Sequence, residues 1–208
     1  MSCKPWADSY PVSWSTGGFF SDGLTICGGS LGLARISTNK CFQLRQDSLI
    51  QFSVNQRVGS MCSSGVMIGQ DELLITGGID EDGRYLKRSE TLTTNEIVEG
   101  PDIPIPTSLH CMTSAGNGNI HSTGGMDMNY DNYPTPHAYC WVLENHFKSG
   151  WKNCSNLNQA RYRHACGSFI LHSATFLVVA GGIDEQGNDL NTIEFLSLAE
   201  ETATWVYG

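Results

Sequence analysis

The sequence predicts an all-β protein assembled from repeated antiparallel sheets, and three observations carry that prediction. A Gly-Gly pair recurs at Gly28-Gly29, Gly77-Gly78, Gly124-Gly125 and Gly181-Gly182, at separations of 49, 47 and 57 residues, the spacing of a sheet-sized repeat. Each pair follows a short, largely apolar run and precedes polar, turn-forming sequence. No segment sustains the 3.6-residue periodicity of an amphipathic helix.

The apolar runs are predicted to be the second strand of each unit. They read Leu24-Thr25-Ile26-Cys27, Leu73-Leu74-Ile75-Thr76, Asn119-Ile120-His121-Ser122-Thr123 and Phe176-Leu177-Val178-Val179-Ala180. The first, second and fourth suit strands covered on both faces, while the third is more polar. Glycine then ends each run, because the absence of Cβ permits close backbone approach and unusual dihedrals. A first strand is expected before each, at Ser15 to Phe20, Met61 to Ile68, Cys111 to Ala115 and Ala165 to Leu171. Ser21-Asp22-Gly23 and Gly69-Gln70-Asp71-Glu72 mark two of the turns between these strands. The extra pair Gly17-Gly18 falls inside the first strand, so register rather than the dipeptide carries the signal.

After the glycines come Ser30-Leu31, Ile79-Asp80, Met126-Asp127 and Ile183-Asp184. Glu81-Asp82-Gly83 and Glu185-Gln186-Gly187 then read as equivalent exposed turns 104 residues apart. Aromatic anchors follow: Phe42 and Phe195 stand thirteen residues beyond the second glycine, Phe52 and Trp205 twenty-three beyond, and Tyr139 and Trp151 at slightly larger offsets. Phe42, Trp151, Phe195 and Trp205 are expected to be structural. Approximate repeats are 13–57, 58–107, 108–160 and 161–208, each with about four strands, together forming one domain. A lone four-stranded sheet cannot bury both apolar faces, so copies must stack. Radial stacking with short, protected edges gives a β-propeller.

Composition narrows the function classes. Twelve Lys and Arg against 21 Asp and Glu give a net charge of -9, which repels nucleic-acid phosphates and anionic membranes. No apolar run reaches the roughly 18 to 20 residues of a membrane span. The polar opening Met1-Ser2-Cys3-Lys4-Pro5 favours the cytoplasm if Met1 is the native start. Eight cysteines occur without a CxxC, which disfavours the common zinc and redox sites. Most are expected to be small buried hydrophobes. Disulfides are the alternative, with Cys27 and Cys41 on neighbouring strands as the best pair. The sequon Asn153-Cys154-Ser155 matters only in a secretory compartment.

The pattern resembles the kelch repeat, in which an apolar strand, a diglycine, a polar loop, a tyrosine-like aromatic and a tryptophan precede a basic residue. The third copy carries Gly124-Gly125, Tyr139, Trp151 and Arg161-Tyr162-Arg163-His164; the fourth carries Gly181-Gly182, Phe195 and Trp205. The first has Gly28-Gly29, Phe42, Phe52 and Arg57, whereas the second keeps Gly77-Gly78 but has Thr91 at the aromatic position and no tryptophan. The resemblance implies a kelch-like propeller, a fold used most often to bind other proteins. The four units either close on themselves or form a partial ring completed by another chain, through self-association or further sequence.

In such a propeller the loops after the second strands gather on one face, here Ser30 to Asn39, Asp80 to Lys87, Asp127 to Pro136 and Asp184 to Asn191. Candidate contacts are the acidic Asp80, Glu81, Asp82, Asp127, Asp131, Asp184 and Glu185, which suit a basic protein partner. Arg84, Tyr85, Tyr130 and Tyr133 join them, because Tyr and Arg contribute disproportionately to interface energy. The acidic residues are equally consistent with ordinary solvated turns, and the tyrosines with loop packing. Carbohydrate binding is a second reading, with Tyr130 and Tyr133 stacking on sugars while Asp131 and Asn132 bond hydroxyls. An enzyme resembling kelch-like copper-radical oxidases or sugar isomerases is a third. None of the six histidines stands at HExxH-like spacing and no GxSxG or phosphate loop occurs. The expectation is a scaffold or binding module with no cofactor, metal or catalytic residue.

Overall fold

The computed structural model describes residues 12–31, 36–45, 48–116, 118–129, 131, 133–144, 149–200 and 202–208. All regular structure among them is β, and no helix is long and apolar enough to cross a membrane. Four antiparallel sheets of four strands follow one another along the chain. The first sheet comprises β2 (Thr16–Phe20), β3 (Gly23–Cys27), β6 (Cys41–Arg45) and β7 (Ser48–Gln51). The second comprises β8 (Ser64–Gly69), β9 (Glu72–Thr76), β10 (Ser89–Leu92) and β11 (Ile97–Glu99). The third comprises β12 (Cys111–Ser114), β13 (Ile120–Thr123), β16 (Cys140–Leu143) and β17 (Trp151–Asn153). The fourth comprises β18 (Ala165–Leu171), β19 (Ala174–Ala180), β20 (Ile193–Ser197) and β21 (Val206–Tyr207).

Short pairings that the sequence did not disclose flank the diglycines. β1 (Val12–Ser13), β4 (Ser30–Leu31) and β5 (Ile36–Ser37) form a small sheet, and β14 (Met126–Met128) pairs with β15 (Pro134–Pro136). The pair Ser13 with Ser30 recurs as Met61 with Ile79, Ser108 with Met126 and Tyr162 with Ile183. In each sheet the chain entering the first strand is thus clipped to the residue after the diglycine.

The apolar second strands are explained by their two-sided burial. In β9, Leu73 and Ile75 join Cys27, Cys41, Phe20 and Phe52 in a core between the first and second sheets. Leu74, pointing the other way, joins Met112, Ile120 and Leu143 between the second and third. A third core sets Ala115, Cys140 and Leu157 against Leu177, Val179, Leu196 and Trp205. Three cores therefore lie between four sheets, and the first strands β2, β8, β12 and β18 adjoin in that order.

A repeated backbone joint holds neighbouring sheets together. The second glycine donates its N–H to the next sheet: Gly29 to Ser60 O at 2.7 Å, Gly78 to Thr107 O at 2.8 Å and Gly125 to Arg161 O at 2.9 Å. Beside it runs a relay in which Cys62 N–H donates to Trp14 O, Leu109 N–H to Cys62 O and Arg163 N–H to Leu109 O, at 2.9–3.0 Å. All four relay residues have positive φ, between 54° and 59°. The four diglycines share one conformation, with φ of 57–66° at the first glycine and 92–100° at the second, which glycine adopts without a Cβ penalty.

Two sequence expectations are corrected. Six cysteines are not isolated hydrophobes but disulfides: the anticipated Cys27–Cys41, together with Cys140–Cys154 and Cys111–Cys166. The aromatic registers also differ, because loop lengths and strand registers vary independently. Phe42 pairs with Ile26 but Phe195 with Val178, so the two rings lie on opposite sheet faces. The position of Trp205, opposite Leu196, is filled by Trp151 in the third sheet, Ile97 in the second and Leu49 in the first rather than by Phe52. Both tryptophans have one role. Trp151 donates its indole N–H to Pro101 O at 3.0 Å and Trp205 to Ser155 O at 2.7 Å, each pinning a preceding linker.

Candidate binding face

Because every sheet repeats one strand order and is joined at one position, the segments after the diglycines emerge at the same end of the sheets. The second, third and fourth are braced by local hydrogen bonds. Asp80 Oδ1 accepts the amides of Asp82 and Arg84 at 3.0 and 2.9 Å, and Asp184 Oδ1 accepts those of Gln186 and Asn188 at 2.9 and 2.8 Å. An aspartate at the head of a turn thereby replaces the missing backbone partners. Asn129 performs the same task in the third unit, accepting from Asp131 and Tyr133.

This chemistry separates the candidate residues. Asp80 is buried, and burial by itself would raise its pKa. The Arg84 and Asp82 amides and the Arg84 guanidinium, 2.9 Å away, outweigh burial and hold it below the usual carboxylate value. Asp184 is held low chiefly by the Asn188 amide. Both carboxylates are consumed by their own turns. Tyr85 bridges to Ile79, and burial raises its pKa, with the Cys62 thiol and Asp127 adding to the rise and a hydrogen bond to Ser108 opposing it. It fills the seam between the second and third sheets. Asp127 lies 3.8 Å from His137 Nε2 and is about two-thirds covered.

The exposed groups are Glu81, Asp82, Asp131, Glu185, Arg84 and Tyr133, the last 69% accessible. Arg84 also pairs with Asp82, so its charge partly cancels that carboxylate. Tyr130 and Asn132 lie outside the described residues. What the described face offers is thus an acidic rim with a projecting phenol and a tethered guanidinium.

Buried histidines form a feature the linear sequence concealed. His110 is buried with neither ring nitrogen hydrogen-bonded among the described residues. Burial, reinforced by His164 and His137, lowers its pKa to about 3. Burial likewise takes His121 and His164 to about 4. His110 and His164 pack against the diglycines Gly77 and Gly124, where burial favours their neutral form. The cluster of His121, Cys140 and Cys154 has metal-ligand spacing, but its sulfurs are joined to each other and supply no thiolate.

At the opposite end, a cavity of about 350 Å³ opens between the first and second sheets, lined in part by Ser21, Asp22, Gln43, Arg45 and Asp71. Arg45 donates to Asp22 and Gln43 there, and Ser21 donates to Asp71, so these five side chains are hydrogen-bonded among themselves. No protein-family model matches the chain, and no curated protein matches it.

Proposed function

We propose that the chain is a kelch-like β-propeller arc that serves as a non-catalytic protein-binding scaffold, presenting its post-diglycine loops to a partner with a basic surface. The observation that carries this reading is the division of labour in those loops. Asp80, Asp184 and Asn129 lock the backbone, leaving Glu81, Asp82, Asp131, Glu185 and Tyr133 projecting from fixed turns. Preorganised polar loops on a rigid scaffold suit recognition, since little entropy is lost on docking. The buried histidines and the disulfide-closed cluster serve packing rather than catalysis.

Three disulfides favour residence in an oxidising compartment, in place of the cytoplasm expected from the polar opening.

Cross-linking mass spectrometry in an extract of cells that express the protein tests the reading. A protein partner should cross-link to the 81–85, 131–133 or 185 regions, weaken as salt rises, and be lost in Tyr133→Ala combined with Asp131→Ala. A glycan ligand held equally at low and high salt, or a partner unaffected by these changes, would overturn it.

A further inference from the structure

One motif outside the binding face carries unassigned chemistry. Of the chain's asparagines, Asn153 alone is followed two residues later by serine or threonine, in Asn153-Cys154-Ser155, with no proline between. That pattern is the acceptor of N-linked oligosaccharides. The fold decides whether such a tripeptide can carry one.

Asn153 ends β17, the outermost strand of the third sheet, which pairs with β16 on one side and with no strand on the other among the described residues. Its side chain is exposed and hydrogen-bonds no described residue. The asparagines that follow are committed to the fold: Asn156 Oδ1 accepts the Cys140 amide at 3.4 Å, and Asn158 Nδ2 donates to Trp205 O at 2.8 Å. Asn153 thus keeps a free carboxamide where a large hydrated substituent meets solvent. The Ser155 hydroxyl, which the pattern also requires, bonds no described residue either; only the Ser155 carbonyl is engaged, by the Trp205 indole.

The surroundings suit a sugar. Asn153 stands directly opposite Trp141 in the ladder, which puts their Cβ atoms about 5 Å apart on one sheet face. Trp141 is half-buried, and its ring lies 5.7 Å from that of Tyr139, which is 41% accessible. A partly uncovered aromatic pair beside the acceptor gives the apolar face of a first sugar ring a seat, while its hydroxyls stay in water.

We infer that Asn153 is an N-glycosylation site. Asn153 Nδ2 bonds to the anomeric carbon of a lipid-diphosphate-linked oligosaccharide. The bond from that carbon to the diphosphate oxygen breaks, the lipid diphosphate leaves with the electron pair, and one amide proton is lost. The inference rests on the oxidising compartment that the three disulfides favour. One of these bridges uses the middle residue of the tripeptide, Cys154, whose amide also donates to Cys140 O at 2.9 Å. Closing that bridge fixes the acceptor backbone in the sheet, so transfer precedes closure. The glycan then stands two strands away from β13, the strand that leads into Gly124-Gly125.

Mass spectrometry of the unreduced full-length protein, purified from cells that express it, tests the inference. The peptide holding Asn153 should carry hexose and N-acetylhexosamine masses. Peptide:N-glycosidase should remove them and convert the Asn153 carboxamide to a carboxylate. In the same cells Asn153→Gln and Ser155→Ala should each return the 22.7 kDa chain mass, while Ser155→Thr should keep the glycan. Circular dichroism of Asn153→Gln should match wild type, since the carboxamide holds no fold contact. Unmodified Asn153 in protein whose three disulfides are formed would overturn the site and leave the compartment standing; unmodified Asn153 with all thiols free would overturn both. A glycan persisting in Asn153→Gln would also overturn it. Tyr133→Ala should leave the glycan in place, so loop binding and modification fail separately.

Discussion

Replacing Cys111 and Cys166 by serine should be the most costly disulfide removal in the protein. This bridge ties β12 to β18, the first strands of the third and fourth sheets, and closes 55 residues of chain. The enclosed Cys140–Cys154 bridge spans 14 and shortens the effective loop to 55 − 14 = 41. Chain-entropy scaling then gives about 4 kcal/mol for Cys111–Cys166 and about 3 kcal/mol for each 14-residue bridge. For a domain of this size, 4 kcal/mol lowers Tm by about 8–16 °C. The assay is urea unfolding of C111S/C166S and C27S/C41S without reductant, with thiols counted in the unfolded wild type. Hydrogen exchange should accelerate first at the Gly125 and Arg163 amides, which span the joint beside the bridge. Alkylation of all six cysteines in unreduced wild type, or a smaller loss for the 55-residue bridge than for the 14-residue one, would refute the reasoning.

Arg161→Ala should cost about 3–5 kcal/mol, because the guanidinium and Glu194 are both fully buried and 2.6 Å apart, leaving an uncompensated carboxylate. Arg161→Lys should rescue little in denaturant titrations, since one ammonium cannot also reach Gly181 O and Thr192 Oγ1 as the planar fork does. Stability should be complete above about pH 6.5 and fall as pH drops toward 4, because His110, His121 and His164 bind protons in the unfolded chain before the folded one. Each contributes a slope of up to about 1.4 kcal/mol per pH unit, and equal urea midpoints at pH 7.5 and 5 would contradict this. Trp205→Phe should lose the bond to Ser155 O and cost about 1–3 kcal/mol by thermal melting; an unchanged Tm would show that the linker is held by other contacts.

Much of the local architecture was legible because it depends on residue type. The runs ending in Gly77 and Gly181 are apolar apart from the buried Thr76, and their strands appear as β9 and β19. Glu81-Asp82-Gly83 and Glu185-Gln186-Gly187 announced equivalent turns, and Asp80 and Asp184, which precede them, accept the same backbone bonds. The binding candidates were only partly legible for the same reason: a turn-capping aspartate and a solvent-facing one have identical side chains. Only the hydrogen bonds distinguish Asp80 from Asp82.

By itself the sequence determined the first two strands of each four-stranded sheet, the diglycine positions and their repetition, since these follow from apolar patterning and from the one residue that lacks Cβ. The tertiary structure alone decided how sheets are linked and which surfaces stay open. The relay runs through Trp14, Cys62, Leu109 and Arg163, four chemically unrelated residues, because backbone N–H and C=O groups are the same in every residue and leave no trace in side-chain identity. Cysteine pairing across sheets likewise depends on distances that only folding creates. The half-buried state of Val178, against the buried Leu74 of the second sheet, reflects which described residues pack on each sheet rather than any property of valine.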